Sequence, residues 1–237
     1  MRLDALVAKS GLAESRERAQ ALILAGKVRV AGETIRRPDR SVREDAAISV
    51  ESAPDYASRG ALKLGPALER FGVDPSGRVC ADIGASTGGF TDVLLRRGAA
   101  RVYAIDVGRG LLHWRLRSDP RVVVIERVNA RELETFPEPV TLVVVDVSFI
   151  GLVKVLPALR RAAPQAEVVA LFKPQFEVGR AEVGKGGIVR DLMAVEAALR
   201  RLREWCAGNG YEVRAEALSE LAGADGNQEI FLHLIPA

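Results

Sequence analysis

Several features are scarce in this chain of 237 residues. No apolar run approaches the roughly 18 residues needed to span a bilayer, so a membrane protein is not expected. Cysteine occurs twice, as Cys80 and Cys206. Neither lies in a metal-ligand spacing, and no metal is assigned. Cys80 falls in an apolar run and reads as a buried free thiol. The opening Met1-Arg2-Leu3-Asp4 lacks the apolar core of a signal peptide, which makes the cytoplasm the expected location. No internal repeat or low-complexity tract occurs. Excess charge is scarce too, with a formal balance of only +3. Its placement is uneven: residues 1–50 hold 10 Lys/Arg against 7 Asp/Glu, and the remainder holds 24 of each. The whole excess therefore lies in the first fifth of the chain, a modest pointer to a polyanionic partner.

What is present falls into two blocks. Residues 1–50 open with a short helical pattern (Leu3, Leu6, Val7) and a second helix running from Ser15, a good N-cap, to a stop at Gly26. Val28-Arg29-Val30, a turn at Ala31-Gly32 and Ile48-Ser49-Val50 read as extended, giving a small α+β unit. Along it Arg2, Arg16, Arg18, Lys27, Arg29, Arg36, Arg37, Arg40 and Arg43 form either a solvated surface or a face for phosphates. Residues 51–58 break the pattern and read as a linker. From residue 59 to 237, after a helix over 60–71, strands and helices alternate. Near-continuous apolar runs at 78–83, 101–106, 121–126, 140–147 and 167–173 predict buried strands. Helical patterns lie at 89–97, 110–117, 130–136, 152–163 and 191–208, with two last strands at 211–218 and 228–235. Such alternation predicts an α/β fold, a mostly parallel sheet covered on both sides.

In sheets of this kind ligands sit beyond the carboxyl ends of the strands, where strand order reverses. The first strand of the second block runs into Asp82-Ile83-Gly84-Ala85-Ser86-Thr87-Gly88-Gly89-Phe90. The glycine spacing departs from the G-x-G-x-x-G of dinucleotide folds, which argues against an NAD-dependent oxidoreductase. It resembles the first motif of S-adenosylmethionine methyltransferases. Asp106 ends the second strand and can accept the ribose hydroxyls of an adenosine. Asn129, after the third strand, can face the adenine edge or simply make a turn.

Four ionisable residues stand out: Lys63 at the start of a helix, Asp146 and Lys173 at the ends of the fourth and fifth strands, and Glu229 in the last strand. Strand-end charges after apolar runs need a partner or water, so an ion-pair network is the bland alternative to catalysis. In this order and on these elements they resemble the Lys-Asp-Lys-Glu tetrad of the FtsJ-like ribose 2′-O-methyltransferases. The strings Tyr56 to Gly60, Asp82 to Phe90, Asp146 to Phe149, Lys173 to Glu177 and Gly184 to Asp191 resemble the TlyA (hemolysin A) family within that superfamily. One departure is Ala61, where the family often has a second glycine after Ser58-Arg59-Gly60. Residues 1–50 are similar to the S4-like RNA-binding domain of that family.

The resemblance implies a Rossmann-like methyltransferase fold with seven strands, the last antiparallel. It implies methyl transfer from S-adenosylmethionine to a ribose 2′-hydroxyl of ribosomal RNA, a cytidine in family members. The cofactor would be held by the loop from Asp82 to Phe90, with Asp106, Asn129 and Asp146. Lys173 would be the base or the group steering the hydroxyl, Lys63 the second cation, and Asp146 and Glu229 their orienting partners. Arg59 and, in a glycine-rich segment, Arg180 and Lys185 join the candidate RNA contacts. That segment is either a flap or a plain surface loop. The partner would be ribosomal RNA or a ribosomal subunit, with no membrane. Nothing in the sequence fixes the oligomeric state, and a monomer is compatible with it. Rival readings are a non-catalytic RNA-binding assembly factor and, from the hemolysin name, a cytolysin.

Overall fold

Hydrophobic periodicity decides both halves of the molecule, as a computed structural model of residues 1–13, 15–50, 56–223 and 225–237 shows. The chain divides into two units, Met1–Asp55 and Tyr56–Ala237. In the first, α1 (Leu3–Lys9) and α2 (Arg16–Leu24) pack on strands β1 (Val28–Val30), β2 (Glu33–Ile35) and β3 (Ile48–Val50). The sheet is antiparallel with order β2-β1-β3. Ser15 caps α2 by accepting the Arg18 N–H, as expected of its type. Ala31 and Gly32 both take positive φ, the twist a two-residue hairpin requires. Leu3, Val7, Ala19, Ile23, Val28 and Ile35 form the small core.

Asp4 lies wholly buried beneath that core's edge. It accepts from Arg2 Nη2 at 3.0 Å, Arg16 Nε at 3.1 Å and Gln20 Nε2 at 2.7 Å. The Arg2 hydrogen bond, ahead of all other contacts, holds its carboxyl far below the usual range.

The second unit is built on β4 (Val79–Ile83), β5 (Arg101–Asp106), β6 (Val122–Glu126), β7 (Leu142–Val145), β8 (Glu167–Phe172), β9 (Tyr211–Leu218) and β10 (Ile230–Pro236). Their order in the sheet is β6-β5-β4-β7-β8-β10-β9. β4 to β8 pair in parallel, and β10 is antiparallel to both its neighbours. The strand order reverses at β4, which places the ligand crevice above β4 and β7. Alternation along each strand feeds two cores. Val143 and Val145 join the cluster under α6 (Leu156–Ala162) and α8 (Leu192–Gly208). Leu142 and Val144 join the cluster under α3 (Ala61–Phe71) and α4 (Gly89–Arg96). Cys80 and Cys206 are fully buried, one in each cluster. No helix among the described residues is long and apolar enough to cross a membrane.

The departures from expectation are local. The helix expected over 110–117 is a single turn, α5 (Trp114–Arg117), because Gly108-Arg109-Gly110 keeps the preceding chain extended or turning. The one expected over 130–136 is a 3-10 turn over Ala130–Glu132, and that over 152–163 divides into a 3-10 turn (Leu152–Lys154) and α6, with Pro157 in its first turn. Of the expected linker, residues 51–55 lie outside the described residues, and Tyr56, Ala57 and Ser58 belong to the second unit. Asp92 on α4 accepts the Ala57 N–H at 2.8 Å, and Arg96 lies over the Tyr56 ring at 4.5 Å.

Candidate active site

Four strand ends, the start of β10 and the start of α3 supply the site. Asp82 is the penultimate residue of β4 and wholly buried. Its Oδ2 accepts the Thr91 N–H at 2.8 Å and the Thr91 hydroxyl at 2.6 Å, while Oδ1 has no partner among the described residues. Burial is the main reason its carboxyl is pushed up to about 7, and the nearby charge of Asp146 adds to the shift. Beyond it the chain turns at Gly84, whose φ is +85°. A Cβ there would collide with the carbonyl of Asp146, so only glycine lets the two strand ends come this close. At Gly89 a Cβ would strike the Ser58 hydroxyl and lie 2.9 Å from the Ala61 nitrogen.

These close approaches leave two cavities that share Gly84, Ser86 and Asp146. One, of about 360 Å³, is walled by Ser58, Arg59, Lys63, Asp82, Phe90 and Asp146 among others. Ala85 and Thr87 line it too, and Gly88 closes the loop behind them. The other, of about 490 Å³, holds Asp106 and Asn129 among the apolar side chains of Val107, Leu111 and Val128. Asp106 is oriented by backbone amides: Oδ2 accepts from Ser86 at 2.8 Å and Oδ1 from Gly108 at 2.7 Å. The Asn129 carbonyl oxygen accepts from the Arg131 backbone and guanidinium, leaving its NH₂ for another partner.

The tetrad resolves into two ion pairs. Lys63 Nζ lies 2.6 Å from Glu229 Oε2, across 166 positions of sequence. Lys173 Nζ lies 2.5 Å from Asp146 Oδ1 and 3.1 Å from the Ser148 hydroxyl. Lys63 and Asp146 face the same cavity. Lys173 and Glu229 flank the last rung of the β8–β10 ladder, Phe172 against Ile230. Asp146 and Lys173 each stand one residue past their strand, and Glu229 lies one residue ahead of β10 instead of within it. The reason is visible in its contacts: its side chain turns inward to Lys63 while its carbonyl still accepts from Ser219.

Several contributors carried no sequence signal. Ser148 and Thr91 are short hydroxyls whose partners are distant in the chain. Phe149 has a φ of +66° and is 90% exposed, with its ring 5.2 Å from that of Phe176. Positive φ in a bulky residue is costly and persists only where the surroundings impose it. The glycine-rich segment is anchored by buried Asn227, which accepts the Val189 N–H and donates to the Gly187 carbonyl, both at 2.8 Å. Arg180 and Lys185 are exposed on it, and Arg59 is exposed at the cavity wall. In the first unit the candidate cations divide. Arg2 and Arg16 hold Asp4, and Arg18 is capped into α2 through its N–H. Arg37 pairs with Asp39 at the surface. Lys27, Arg29 and Arg36 have no ion-pair partner among the described residues.

An unpaired buried carboxylate oxygen fits a cationic amino group, a glycine turn admits a ligand against backbone, and a strand-end Asp fits a ribose diol. Fold and site together define an S-adenosylmethionine-dependent methyltransferase. Residues 56–235 match the FtsJ-like methyltransferase family and residues 1–48 match the S4 domain. The chain belongs to the FtsJ-like methyltransferases, in their TlyA branch. It is 50% identical, over 98% of its length and 89% of the relative's, to the "16S/23S rRNA (cytidine-2'-O)-methyltransferase TlyA" of Mycobacterium tuberculosis. Hemolysin A of Brachyspira hyodysenteriae is 41% identical, over 99% of this chain and 100% of that one. A solved structure with a hemolysin name, from Streptococcus thermophilus, superposes with a TM-score of 0.77 at 40% identity, covering 100% of this chain and 88% of that one.

Proposed function

We propose that this enzyme methylates the ribose 2′-hydroxyl of a cytidine in ribosomal RNA, within a ribosomal subunit or its precursor in the cytoplasm. The observation that carries the reading is that one member of each ion pair, Lys63 and Asp146, lines a single cavity beside the glycine turn. When bound, S-adenosylmethionine supplies an electrophilic methyl on a sulfonium. Asp82 would hold its amino group, the Gly84–Gly89 turn its chain, Asp106 its ribose and Asn129 its adenine edge.

The protein's own task is to bring a weakly acidic hydroxyl into line and take up its proton. Each lysine is held against a carboxylate, which makes it a charge-assisted hydrogen-bond donor with one fixed direction. Lys173, fixed by Asp146 and Ser148, steers the hydroxyl oxygen as an ammonium, or accepts the hydroxyl proton once its own proton has left for solvent. Lys63, fixed by Glu229, supplies a second cation that stabilises developing negative charge on that oxygen. A nucleoside held in this way gains mainly through orientation, the largest economy available to a two-substrate reaction. Exposed Phe149 at the rim offers a face on which a splayed base can stack. Arg59, Arg180 and Lys185, with Lys27, Arg29 and Arg36 of the S4 domain, would meet phosphates.

Replacing Lys173 with Ala should abolish labelled methyl incorporation into ribosomal RNA, at least about a thousandfold, while calorimetric cofactor affinity stays within about twofold. Unchanged turnover would refute the role. Absence of single-turnover methyl transfer in the unaltered protein would favour the assembly-factor reading.

A further inference from the structure

The chain continues from Asp146 and from Lys173 in two directions, yet the two continuations are fastened together a few residues on. After Asp146 come Ser148 and Phe149, then Gly151 and the 3-10 turn that begins at Leu152. After Lys173 comes α7 (Pro174–Glu177). Glu177 Oε1 accepts the Leu152 N–H at 2.7 Å. Together with the contact of Lys173 Nζ on Ser148, this closes a ring through both catalytic strand ends. The Phe149–Phe176 ring contact lies inside it. The room for the carboxylate is made by Gly151, where a Cβ would sit 2.9 Å from Glu177 Oε2 and 3.3 Å from the Phe176 carbonyl.

We infer that Glu177 is a positioning residue for the transfer step, holding the loop from Asp146 to Leu152 so that Asp146 and Ser148 fix the direction of Lys173. The inference rests on the proposed ribose methylation. A structural filler would not need a carboxylate here. Burial pushes its acid up to about 7, with no ion-pair partner among the described residues, and burying a charge unpaired is costly. An apolar side chain would fill the space more cheaply but would leave the Leu152 amide without an acceptor and the loop untied. Reactions that gain from alignment are sensitive to shifts of an ångström, even when the displaced group lies outside the reacting pair.

Four variants test this, on full-length protein, with ribosomal RNA as substrate and calorimetry for the cofactor. Glu177→Ala should lower kcat by about tenfold to a hundredfold, with KM for RNA and cofactor affinity within about twofold. Glu177→Gln, which still offers an acceptor to Leu152, should recover kcat to within about threefold of the unaltered enzyme. Gly151→Ala should reproduce the loss with Glu177 intact, and Gly151→Ala combined with Glu177→Ala should be no worse than Glu177→Ala alone, because the closest crowding atom, Glu177 Oε2, is gone and the space it leaves lets the loop give way from the Phe176 carbonyl. If Glu177→Ala fails to fold, the Gln and Gly151 variants carry the test alone. Unaltered kcat in folded Glu177→Ala, a loss seen only in Tm, a Gln variant as poor as Ala, or additive losses would each overturn the inference. Failure of the unaltered protein to methylate RNA would instead refute the substrate assignment and leave these comparisons without their reaction.

Discussion

Asp82 is asked to be buried and to meet a cation, and these demands pull its ionisation in opposite directions. Burial disfavours the carboxylate and lifts it to about 7, above the ordinary range. Between roughly pH 4 and 7 this group is therefore more protonated in the folded chain than in the unfolded one. Its contribution to the stability of the ligand-free protein is lost as pH rises through that window. A cationic amino group beside Oδ1 reverses the preference. Cofactor affinity should accordingly tighten as Asp82 ionises, by roughly tenfold between pH 6 and pH 8. Calorimetry across that range in the unaltered protein and in Asp82→Asn checks it: the Asn variant should bind more weakly with a flat profile. An identical slope in both would assign the pH dependence elsewhere.

The turn between β4 and α4 shows how one residue's freedom governs an element. Gly84 holds β4 within contact of the Asp146 backbone, so Gly84→Ala must either unwind the turn or push β7 aside. Expected is at least a tenfold loss of cofactor affinity, with Tm lowered by several degrees, read by calorimetry and thermal unfolding. This turn was legible in the sequence because Asp82 to Gly89 follows a strand with no polar face. The five parallel strands were legible for the same reason, since burial on both faces leaves continuous apolar runs. The short helices were not: Trp114–Arg117 and Ala130–Glu132 are single turns, and periodicity over so few residues cannot be told from chance. Lys173 and Asp146 could be picked out as charges ending apolar strands. Their pairing with each other, and that of Lys63 with Glu229, depends on sheet order and on the β8–β10 register, which no local pattern records. Ser148, Glu177 and Asn227 stayed hidden because their roles consist of single hydrogen bonds to distant backbone or side-chain atoms.

For the whole molecule, the proposed function assigns substrate capture to the first unit and cofactor capture to the second. A protein lacking residues 1–50 should bind S-adenosylmethionine within about twofold of the full chain and bind ribosomal RNA at least about tenfold more weakly, with a shallower dependence on salt. Calorimetry and RNA titrations at two ionic strengths check this, and equal RNA affinity would remove the role given to the S4 domain. The larger unit also carries two reporters of its own opening. Burial lifts the Cys80 thiol to about 12 and the Cys206 thiol to about 11, and neither sulfur is reachable in the folded chain. Alkylation at either position is thus a count of excursions from the native state. Because one sulfur lies on each face of the sheet, the two labelling rates tell whether the helical layers peel away together or in turn.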